Sequence, residues 1–458
     1  MRGITIPDTT SRAVPFCADE CGAAGCTPTV CVGAGVASNE VLFERSQRVI
    51  PGGVNSSIRA HRSVGGSPII VARAEGPYIW DVEGTRYIDL VQSYGAVIVG
   101  HAHPAVTQAL HSAAADGTSY GAPTAREMKL AELIVERVRS CDQVRLMNSG
   151  TEATSTAVRL ARGFTGRDRI VTFAGNFHGA TDALLAAGGS GVATLGLPGT
   201  AGVPASAVSE TLVVPYNEVP VLDGTVAAVI VEPVAANMGV VAPVPGFLAG
   251  LRAECDRVGA LLVFDEVITG FRLDVGGAQS RFDVAADLTT FGKVIGGGLP
   301  VGGLGGRREI METLSPIGPV FHSGTLSGNP LTTAAGLAVL GLLDEDVYME
   351  LSARARRLAA VLRDACLAAR FPAQFPVVGT LVGMVCGRLE AVRNFDEARE
   401  TDTAAYARFF HAMRSLGVAM APGAYEAIFV GLGHDDDVIQ AVGAAAEQAA
   451  RVASSAAQ

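Results

Sequence analysis

Short apolar runs alternate with helical patterns through the middle of the chain. Near-continuous apolar runs predict strands buried on both faces at residues 144–147, 170–173, 227–231 and 261–264. Helical periodicity separates them, for example over residues 152–163 and 246–257. This alternation predicts an α/β fold in which helices flank a mostly parallel sheet.

The two ends of the chain predict a second, smaller lobe. Asn39 can cap a helix that runs to about residue 48, and short strands follow at residues 69–72 and 78–81. A helix over residues 348–369, strand-like segments and a final helix complete an α+β lobe built from N- and C-terminal segments. The predicted organisation is a flexible extension over 1–38, an N-terminal segment of the small lobe over 39–90, a large domain over 91–344 and a C-terminal small domain over 345–458.

Charge and hydropathy narrow the possible functions. The net charge of −10 argues against nucleic acid, because phosphates require a basic surface. No stretch reaches the roughly 18 apolar residues that span a bilayer, and the apolar stretch at 331–343 predicts a buried helix. The first 38 residues include acidic side chains and lack the apolar core of a secretory signal. We therefore expect a cytoplasmic protein.

Four of the eight cysteines lie in the N-terminal extension, at Cys17, Cys21, Cys26 and Cys31. Their spacing matches no zinc or iron–sulfur pattern, which favours a reduced, flexible segment, and a metal or redox role remains an alternative. The other four are scattered along the chain, as expected for reduced thiols: Cys141, Cys255, Cys366 and Cys386.

Lysine is almost absent from the chain. Of the 35 basic residues only Lys129 and Lys293 are lysines. Lys129 lies in a charged amphipathic segment and is expected at the surface, whereas Lys293 lies among glycines and aliphatic residues. Burial there would lower the pKa of the amine, and arginine cannot provide a neutral amine nucleophile. The alternative is a structural lysine whose head reaches water.

Two further segments lie where strands of the predicted sheet end. Residues 148–152, with the sequence NSGTE, follow one strand and open a helix, so that free amides, hydroxyls and Gly150 can bind an anion. Ordinary helix capping by Ser149 is the alternative. Asp265 and Glu266 end another strand, 28 residues before Lys293, and a carboxylate there can keep a pyridine nitrogen protonated. Together, the anion site, the acid and the lysine satisfy the requirements of pyridoxal phosphate.

At these motifs the chain resembles the class III, fold-type I aminotransferases, and among them most closely the glutamate-1-semialdehyde 2,1-aminomutases. The resemblance extends from about residue 40 to the end. It rests on LFERSQRVIPGGVNS, NSGTEAT, EPVAANMGVVAPVPGFL, LLVFDEVITGFR, DLTTFGKVIGGGLPVGG and GTLSGNP.

The resemblance implies a set of cofactor residues. Lys293 would form the Schiff base with pyridoxal phosphate, and Asp265 would contact the ring nitrogen. The remaining cofactor contacts would be Ser149, Gly150 and Thr151 at the phosphate, Asn237 near the ring hydroxyl and Phe177 stacked on the ring. Thr325 would reach the phosphate of a neighbouring subunit, which implies a homodimer with shared active sites.

The resemblance also implies a substrate site and a gating loop. Ser56 and Arg59 match the part that holds a substrate carboxylate, and Glu426 matches an acid near it. Residues 188–204, which include Ser190, match the gating loop. The expected substrate pocket also includes Tyr94 and His322, so the implied partner is a small oxo or amino acid.

This pocket departs from the aminomutase pattern. Tyr94 replaces a tryptophan, Phe177 a tyrosine, Ser57 a proline, and Phe321-His322 a Tyr-Gln pair. The cofactor residues keep the pattern. The sequence therefore favours a paralogous aminotransferase that moves nitrogen between two molecules, onto a small carboxylate-bearing oxo substrate; relatives of this kind serve natural-product biosynthesis. The alternative is an authentic aminomutase that makes 5-aminolevulinate for tetrapyrroles.

Three rival interpretations are weaker. Residues 117–121 fit G-x-S-x-G around Ser119, but a helix precedes them where a serine hydrolase needs a strand. His101 and His103 lack the further ligands that a metal site needs. A non-catalytic binding protein would not need Lys293, and visible absorbance of a bound cofactor would exclude it.

Overall fold

The computed structural model describes residues 38–186 and 199–455. Its helices, numbered in chain order, are α1 Asn39–Gln47, α2 Pro104–Ala115, α3 Ala125–Arg137, α4 Gly150–Thr165, α5 Ala205–Val208, α6 Phe247–Val258, α7 Gly277–Phe282, α8 Arg308–Met311, α9 Pro330–Leu340, α10 Glu345–Ala368, α11 Phe395–Ala398, α12 Thr403–Ser415 and α13 Asp436–Ser455. Its strands are β1 Val71–Glu75, β2 Tyr78–Asp81, β3 Arg86–Asp89, β4 Gln143–Met147, β5 Arg169–Phe173, β6 Thr211–Val214, β7 Val226–Val231, β8 Leu261–Asp265, β9 Leu288–Gly292, β10 Gly302–Gly306, β11 Ala373–Gln374, β12 Val377–Val378, β13 Leu381–Val382, β14 Val385–Cys386, β15 Val418–Ala419 and β16 Ile428–Phe429.

A seven-stranded sheet forms the centre of the large lobe, in the order β4-β10-β9-β8-β7-β5-β6. Strands β9, β8, β7, β5 and β6, which are neighbours in this order, pair in parallel. Strand β10 runs antiparallel to both of its neighbours, β4 and β9. Strands β7 and β8 are buried along their whole length, as their continuous apolar sequence predicts. The α/β fold predicted from the sequence is confirmed.

Helix α4 packs against this sheet through the spacing of its small and apolar residues. Ala153, Ala157, Leu160 and Ala161 lie on one face and belong to a core cluster with strand residues such as Ile230. Burial of a leucine side chain such as Leu160 stabilises the fold by roughly 1.5–3 kcal/mol. The helix N-terminus is thereby fixed at the edge of the sheet where β4 ends.

N- and C-terminal segments meet in a second sheet, in the order β1-β2-β3-β15. Strand β15 pairs in parallel with β3, which joins residues more than three hundred positions apart. The long helices α10, α12 and α13 share one apolar core. A smaller α+β lobe built from both ends is therefore confirmed, while the exact domain limits remain predictions.

Two local predictions are wrong. The N-cap of α1 is Ser38, whose hydroxyl accepts a hydrogen bond from the N–H of Val41 at 3.2 Å. Asn39 instead uses its side chain between segments: its amide donates to Asp81 and its oxygen accepts from the N–H of Ile70. The first strand begins at Val71, two residues later than predicted.

Some predictions fall on residues outside the described ranges. They include the cysteine-containing extension with Cys17, Cys21, Cys26 and Cys31, and residues 188–198 of the expected gating loop, with Ser190. Cys141, Cys255, Cys366 and Cys386 are free thiols and buried, and burial raises the pKa of the Cys366 thiol to about 12. Within the described ranges, no helix combines the length and apolar character needed to cross a membrane.

Candidate active site

The polar residues of interest lie at one edge of the central sheet. The parallel strands β7, β8 and β9 end at Val231, Asp265 and Gly292, and Lys293 follows the last of these. Strand β4 runs in the same direction, because β10 is antiparallel to both β4 and β9. The carboxyl ends of an open α/β sheet are where ligands bind, so the topology brings these segments together.

A cavity of about 180 Å³ lies at this edge. Its walls include every predicted cofactor residue except Thr325. The lining residues are Ser149, Gly150, Thr151, Thr154, Phe177, His178, Gly179, Glu232, Asn237, Asp265, Val267, Ile268 and Lys293.

The N-terminus of α4 forms one wall of the cavity. Gly150 and Thr151 are the first two residues of the helix, where backbone N–H groups have no acceptor within the helix. The hydroxyl of Ser149 accepts a hydrogen bond from the N–H of Glu152 at 3.1 Å, so Ser149 also caps the helix. Capping and anion binding are compatible here, because the helix dipole and the free amides both favour an anion.

Glycine is required at two places beside this wall. A Cβ on Gly302 would lie 2.0 Å from the carbonyl oxygen of Ser149, and one on Gly179 would lie 2.4 Å from the hydroxyl of Thr151. Both contacts are closer than any real Cβ allows. Strand β10 and the loop after β5 can therefore approach the start of α4 only because these positions lack side chains.

Asp265 is held by three hydrogen bonds inside the cavity wall. One carboxylate oxygen accepts from the N–H of Val267 at 3.1 Å and from the hydroxyl of Thr290 at 3.0 Å. The other lies 2.7 Å from Nδ1 of His178. The second ring nitrogen of His178 is buried without a partner among the described residues. The carboxylate is therefore fixed in orientation, beside an imidazole that has one unsatisfied nitrogen.

Lys293 enters the cavity from a strained backbone. Its φ of 47° lies in the left-handed region, which side-chain-bearing residues adopt at a cost of about 1–3 kcal/mol and mostly at functional sites. Burial lowers the pKa of its amine, while Asp265, Glu232 and Glu426 raise it. The result is an amine with a pKa below that of a surface lysine, as a nucleophile requires. Lys129, by contrast, lies exposed on α3.

Glu232 is a buried acid that the sequence analysis missed. Its carboxylate accepts hydrogen bonds from the N–H of Phe177 at 2.7 Å and from the side-chain amide of Asn237 at 2.9 Å. Desolvation raises its pKa to about 7, with His178 acting in the opposite direction. Glu232 therefore orients two residues of the cavity. The signal that could have found it is the one that identified Asp265: an acid directly after a wholly apolar strand.

The predicted substrate residues do not line this cavity. Tyr94 and Glu426 are half-buried and interact electrostatically, and Glu426 also acts on Lys293. Burial and the charge of Glu426 raise the pKa of the Tyr94 phenol, and Arg59 lowers it. Arg59 is exposed on the short 3₁₀ helix Ser57–Ala60, and Ser56 precedes it. These four residues therefore do not line the cavity, but Glu426 acts electrostatically on Lys293 and Arg59 on Tyr94.

Thr325 and His322 border two further cavities. Thr325 lines one of about 380 Å³ together with Ser119. His322 lines another of about 750 Å³, which it shares with Thr151. Burial lowers the pKa of His322, and both of its ring nitrogens lack partners among the described residues. The segment that contains both residues therefore lies next to the start of α4, outside the 180 Å³ cavity.

The rival interpretations gain no support from these contacts. Ser119 lies between α2 and α3, with no strand before it, so it is not part of a nucleophile elbow. His101 pairs with Asp89 at 2.7 Å, and His103 caps α2. Across the part of the chain that the structure describes, no three His, Cys, Asp or Glu side chains are clustered so as to hold a metal ion.

The cavity fits pyridoxal phosphate in its arrangement of chemical groups. The α4 amides suit a phosphate, the oriented carboxylate suits a ring nitrogen, and the amine suits an aldehyde. His178 lines the same cavity, and its second ring nitrogen, buried without a partner among the described residues, is available to a bound group. This fold and site define a pyridoxal phosphate-dependent enzyme.

Comparisons with known proteins agree and identify the family. Residues 60–430 match the family model of the class III aminotransferases, and the chain belongs to that family. It is 49% identical to the glutamate-1-semialdehyde 2,1-aminomutase of Cutibacterium acnes over 91% of this chain and 98% of that protein.

Solved structures agree as well. The fold is similar to an omega-transaminase from Sphaerobacter thermophilus, with a TM-score of 0.82 and 31% identity over 91% of this chain and 98% of that one. It is also similar to a glutamate-1-semialdehyde aminomutase from Pseudomonas aeruginosa PAO1 in complex with PMP, with a TM-score of 0.79 and 25% identity over 90% and 93% of the two chains. The enzyme therefore uses pyridoxal phosphate in an amino-transfer reaction.

Proposed function

We propose that this enzyme transfers an amino group between two molecules, onto a small oxo substrate that carries a carboxylate. Pyridoxal phosphate, when bound, supplies an aldehyde that takes up the amino group and a ring that accepts electron density. The chain supplies binding, orientation and proton movement around it.

Lys293 and Asp265 are the proposed catalytic residues. The lowered pKa of Lys293 makes its amine easier to deprotonate than that of a surface lysine, so that it can act as a nucleophile and then carry a proton. Asp265 would contact the ring nitrogen of the bound cofactor and keep it protonated, and His178 holds the carboxylate in place. Ser149, Gly150 and Thr151 bind the phosphate, while Phe177 and Asn237 contact the ring.

The residues on the substrate side of the site favour transfer between two molecules over transfer within one molecule. Tyr94 stands where the aminomutase pattern has tryptophan, and its phenol interacts with Arg59 and Glu426. A phenol offers a polar atom that can hydrogen-bond to a substrate, which an indole at this place would present differently. Arg59 is retained, so we propose that it holds the substrate carboxylate, with Ser56 and Glu426 beside it. This single cluster is the observation on which the proposal depends.

We further propose a homodimer in the cytoplasm. Thr325 is exposed and lies beside apolar side chains that are also exposed, as expected where a second copy covers them. In such a dimer Thr325 would reach the partner's phosphate.

The test is an amino-donor experiment with the purified holoenzyme. L-Glutamate alone should change the visible absorbance of the cofactor and release 2-oxoglutarate in one equivalent per site. Glutamate-1-semialdehyde without a donor should then give 5-aminolevulinate only slowly. No 2-oxoglutarate, together with rapid donor-free formation of 5-aminolevulinate, would overturn the proposal.

The second candidate is the aminomutase itself. It is favoured by the 49% identity to the aminomutase of Cutibacterium acnes, which extends over nearly the full length of both chains. The two candidates can be separated by restoring the aminomutase residues together: Tyr94→Trp, Phe177→Tyr, Ser57→Pro and His322→Gln. If the wild type is a paralogue, these changes should raise donor-free mutase activity, since pocket changes of this size are worth ~1–3 kcal/mol each.

A further inference from the structure

Arg272 is a buried cation without an acidic partner. It lies in the loop that follows β8, the strand that ends at Asp265, and it is 0% exposed. Among the residues that the structure describes, no carboxylate pairs with it, and burial lowers its pKa to about 10. An unpaired buried charge is costly, so this arginine must be held by other polar groups.

Backbone carbonyls from two distant segments hold it. Nε and Nη2 donate to the oxygen of Gly95 at 3.2 and 3.0 Å, and Nη2 also donates to Val97 at 3.1 Å. Nη1 donates to the oxygen of Val430 at 3.1 Å, and the guanidinium lies 5.3 Å from the ring centroid of Phe429. The planar guanidinium spreads its donors over three nitrogens and so reaches carbonyls on two segments at once, whereas the three donors of lysine all leave one compact nitrogen.

The first of these segments has an unusual backbone. Gln92, Ser93, Tyr94 and Gly95 have consecutive φ values of 45°, 53°, 54° and 92°, all in the left-handed region. A side-chain-bearing residue there costs about 1–3 kcal/mol and persists only where its surroundings enforce it. The turn therefore needs external support at both ends.

That support comes from two charged groups. At the start, the carboxylate of Asp89 accepts hydrogen bonds from the N–H of Val91 at 2.9 Å and of Gln92 at 3.2 Å. At the end, Arg272 binds the carbonyl of Gly95. A Cβ on Gly95 would lie 2.6 Å from the ring of Phe429, the same ring that faces the guanidinium. Tyr94 lies between the two supports.

We propose that Arg272 is a positioning residue that fixes the left-handed turn at residues 92–95 and thereby places Tyr94 for substrate binding. It acts through Tyr94 and also fixes the segment at Val430, close in sequence to Glu426. The loop after Asp265 thus sets the geometry of the substrate side as well as the cofactor side. This inference rests on the proposed function, in which the cluster of Tyr94, Arg59 and Glu426 forms the substrate side of the site.

The first test is structural and does not depend on any substrate. In a crystal structure of the Arg272→Lys holoenzyme, residues 92–95 should leave the left-handed region or adopt several conformations, while Lys293 and Asp265 stay in place. Tyr348→Phe is the matched control: its hydroxyl donates to the carbonyl of the neighbouring Phe271 at 2.8 Å and does not touch the turn. An unchanged turn in Arg272→Lys overturns the inference.

The second test separates positioning from general stability. In the single-turnover half-reaction with L-glutamate, Arg272→Lys should raise the apparent KM, which is the glutamate concentration that gives half the limiting rate, at least tenfold. The limiting rate should change much less, whereas Tyr348→Phe should lower only the Tm. In a Tyr94→Ala background, Arg272→Lys should change KM less than about threefold, because the residue through which it acts is gone. Fully multiplicative effects on KM would contradict the inference.

Two results would leave these tests incomplete: an Arg272→Lys variant that does not fold, and a wild type that does not react with L-glutamate. If Arg272→Lys does not fold, Phe429→Leu removes the ring over the guanidinium and leaves the four hydrogen bonds. It should then raise KM a few-fold by the same route, and an unchanged KM would count against the inference. If the wild type does not react with L-glutamate at all, the proposed amino donor is wrong, and the crystal structure still decides the role of Arg272.

Discussion

At the scale of single residues, Lys293 combines a buried amine with a left-handed backbone, whereas the other lysine, Lys129, is exposed on α3. The left-handed φ and the lowered pKa of Lys293 occur together at the end of β9. We predict that Lys293→Ala lowers turnover by several orders of magnitude and removes the visible absorbance of lysine-bound cofactor. Lys293→Arg is the matched control: it keeps the positive charge but cannot supply a neutral amine, so it should be equally inactive. Activity in either variant, measured with an absorbance scan of the same sample, would disprove this role.

Asp265 and Glu266 are adjacent acids with different surroundings. Glu266 is used within the fold: its carboxylate accepts from the hydroxyl of Thr269 at 3.1 Å and from the N–H of Ala278 at 2.6 Å. We predict that Asp265→Asn still binds the cofactor but loses most activity, because an amide cannot keep the ring nitrogen protonated. Glu266→Gln should instead lower thermal stability and leave turnover of the folded enzyme largely intact. If Glu266→Gln instead loses most activity and Asp265→Asn only lowers the Tm, Glu266 is the acid at the ring nitrogen and Asp265 the structural one.

At the scale of elements, the long and periodic ones could be predicted from the sequence. Strands β4, β5, β7 and β8 lie within one residue of their predicted bounds, and helices α4 and α6 lie within two. Burial on both faces explains the continuous apolar runs of β7 and β8, whereas β4 is an edge strand and only partly buried. The two-residue strands β11 to β16 could not be recognised, since two residues show no period. The N-cap of α1 was misassigned because Ser38 and Asn39 are both good caps, and only the contact of Asn39 with Asp81 separates them.

The residues of the candidate site also fall into two groups, those that the sequence identified and those that it missed. Lys293, Asp265 and the segment 148–152 were found because each follows a strand with a recognisable pattern. His178 and Arg272 were missed because their roles depend on distant partners: His178 on Asp265, 87 residues away, and Arg272 on Gly95, 177 residues away. Sequence spacing contains no information on such pairs.

Glu232, which directly follows β7, predicts how the free energy of unfolding depends on pH. The folded-state pKa of Glu232 is raised from 4.5 to about 7, so its contribution to stability is present below about pH 4.5 and is lost as the pH rises through 7. At ~1.4 kcal/mol for each pH unit between these values, the loss amounts to about 3 kcal/mol. Removing the titration by Glu232→Gln should therefore remove this decline in the free energy of unfolding of the cofactor-free protein between pH 5 and 8.

The measurement must compare two proteins, because other groups titrate in the same range. Burial lowers the pKa of His61 to about 4, so His61 contributes stability above about pH 6.5 that is lost as the pH falls through 4. This trend opposes that of Glu232 and is the same in both proteins. Urea titrations of wild type and Glu232→Gln at each pH isolate the Glu232 contribution, and parallel pH profiles would show that Glu232 does not titrate there.

At the scale of the whole molecule, exposed apolar side chains gather beside the proposed shared site. Phe321 and Leu326 are 69% and 52% exposed, on either side of Thr325 in sequence, and Tyr120 lies exposed in the loop that borders the same cavity as Thr325. Large apolar side chains that are exposed together on a monomer mark a surface for another protein. A second copy of this chain would cover them and bring Thr325 to the partner's phosphate site.

We predict that Leu326→Glu converts the proposed dimer to a monomer and weakens cofactor binding. A buried unpaired carboxylate would oppose the interface, and Thr325 would then be withdrawn from the partner. Light scattering after size-exclusion chromatography and a pyridoxal phosphate titration would measure the two effects. Leu389→Glu, at a leucine 73% exposed in the C-terminal segment, is the matched control and should remain dimeric. Thr325→Ala should stay dimeric while binding the cofactor more weakly, so it separates loss of the interface from loss of the phosphate contact. A Leu326→Glu variant that remains dimeric with unchanged cofactor affinity would mean that this surface is not the interface and that each chain binds the phosphate without its partner.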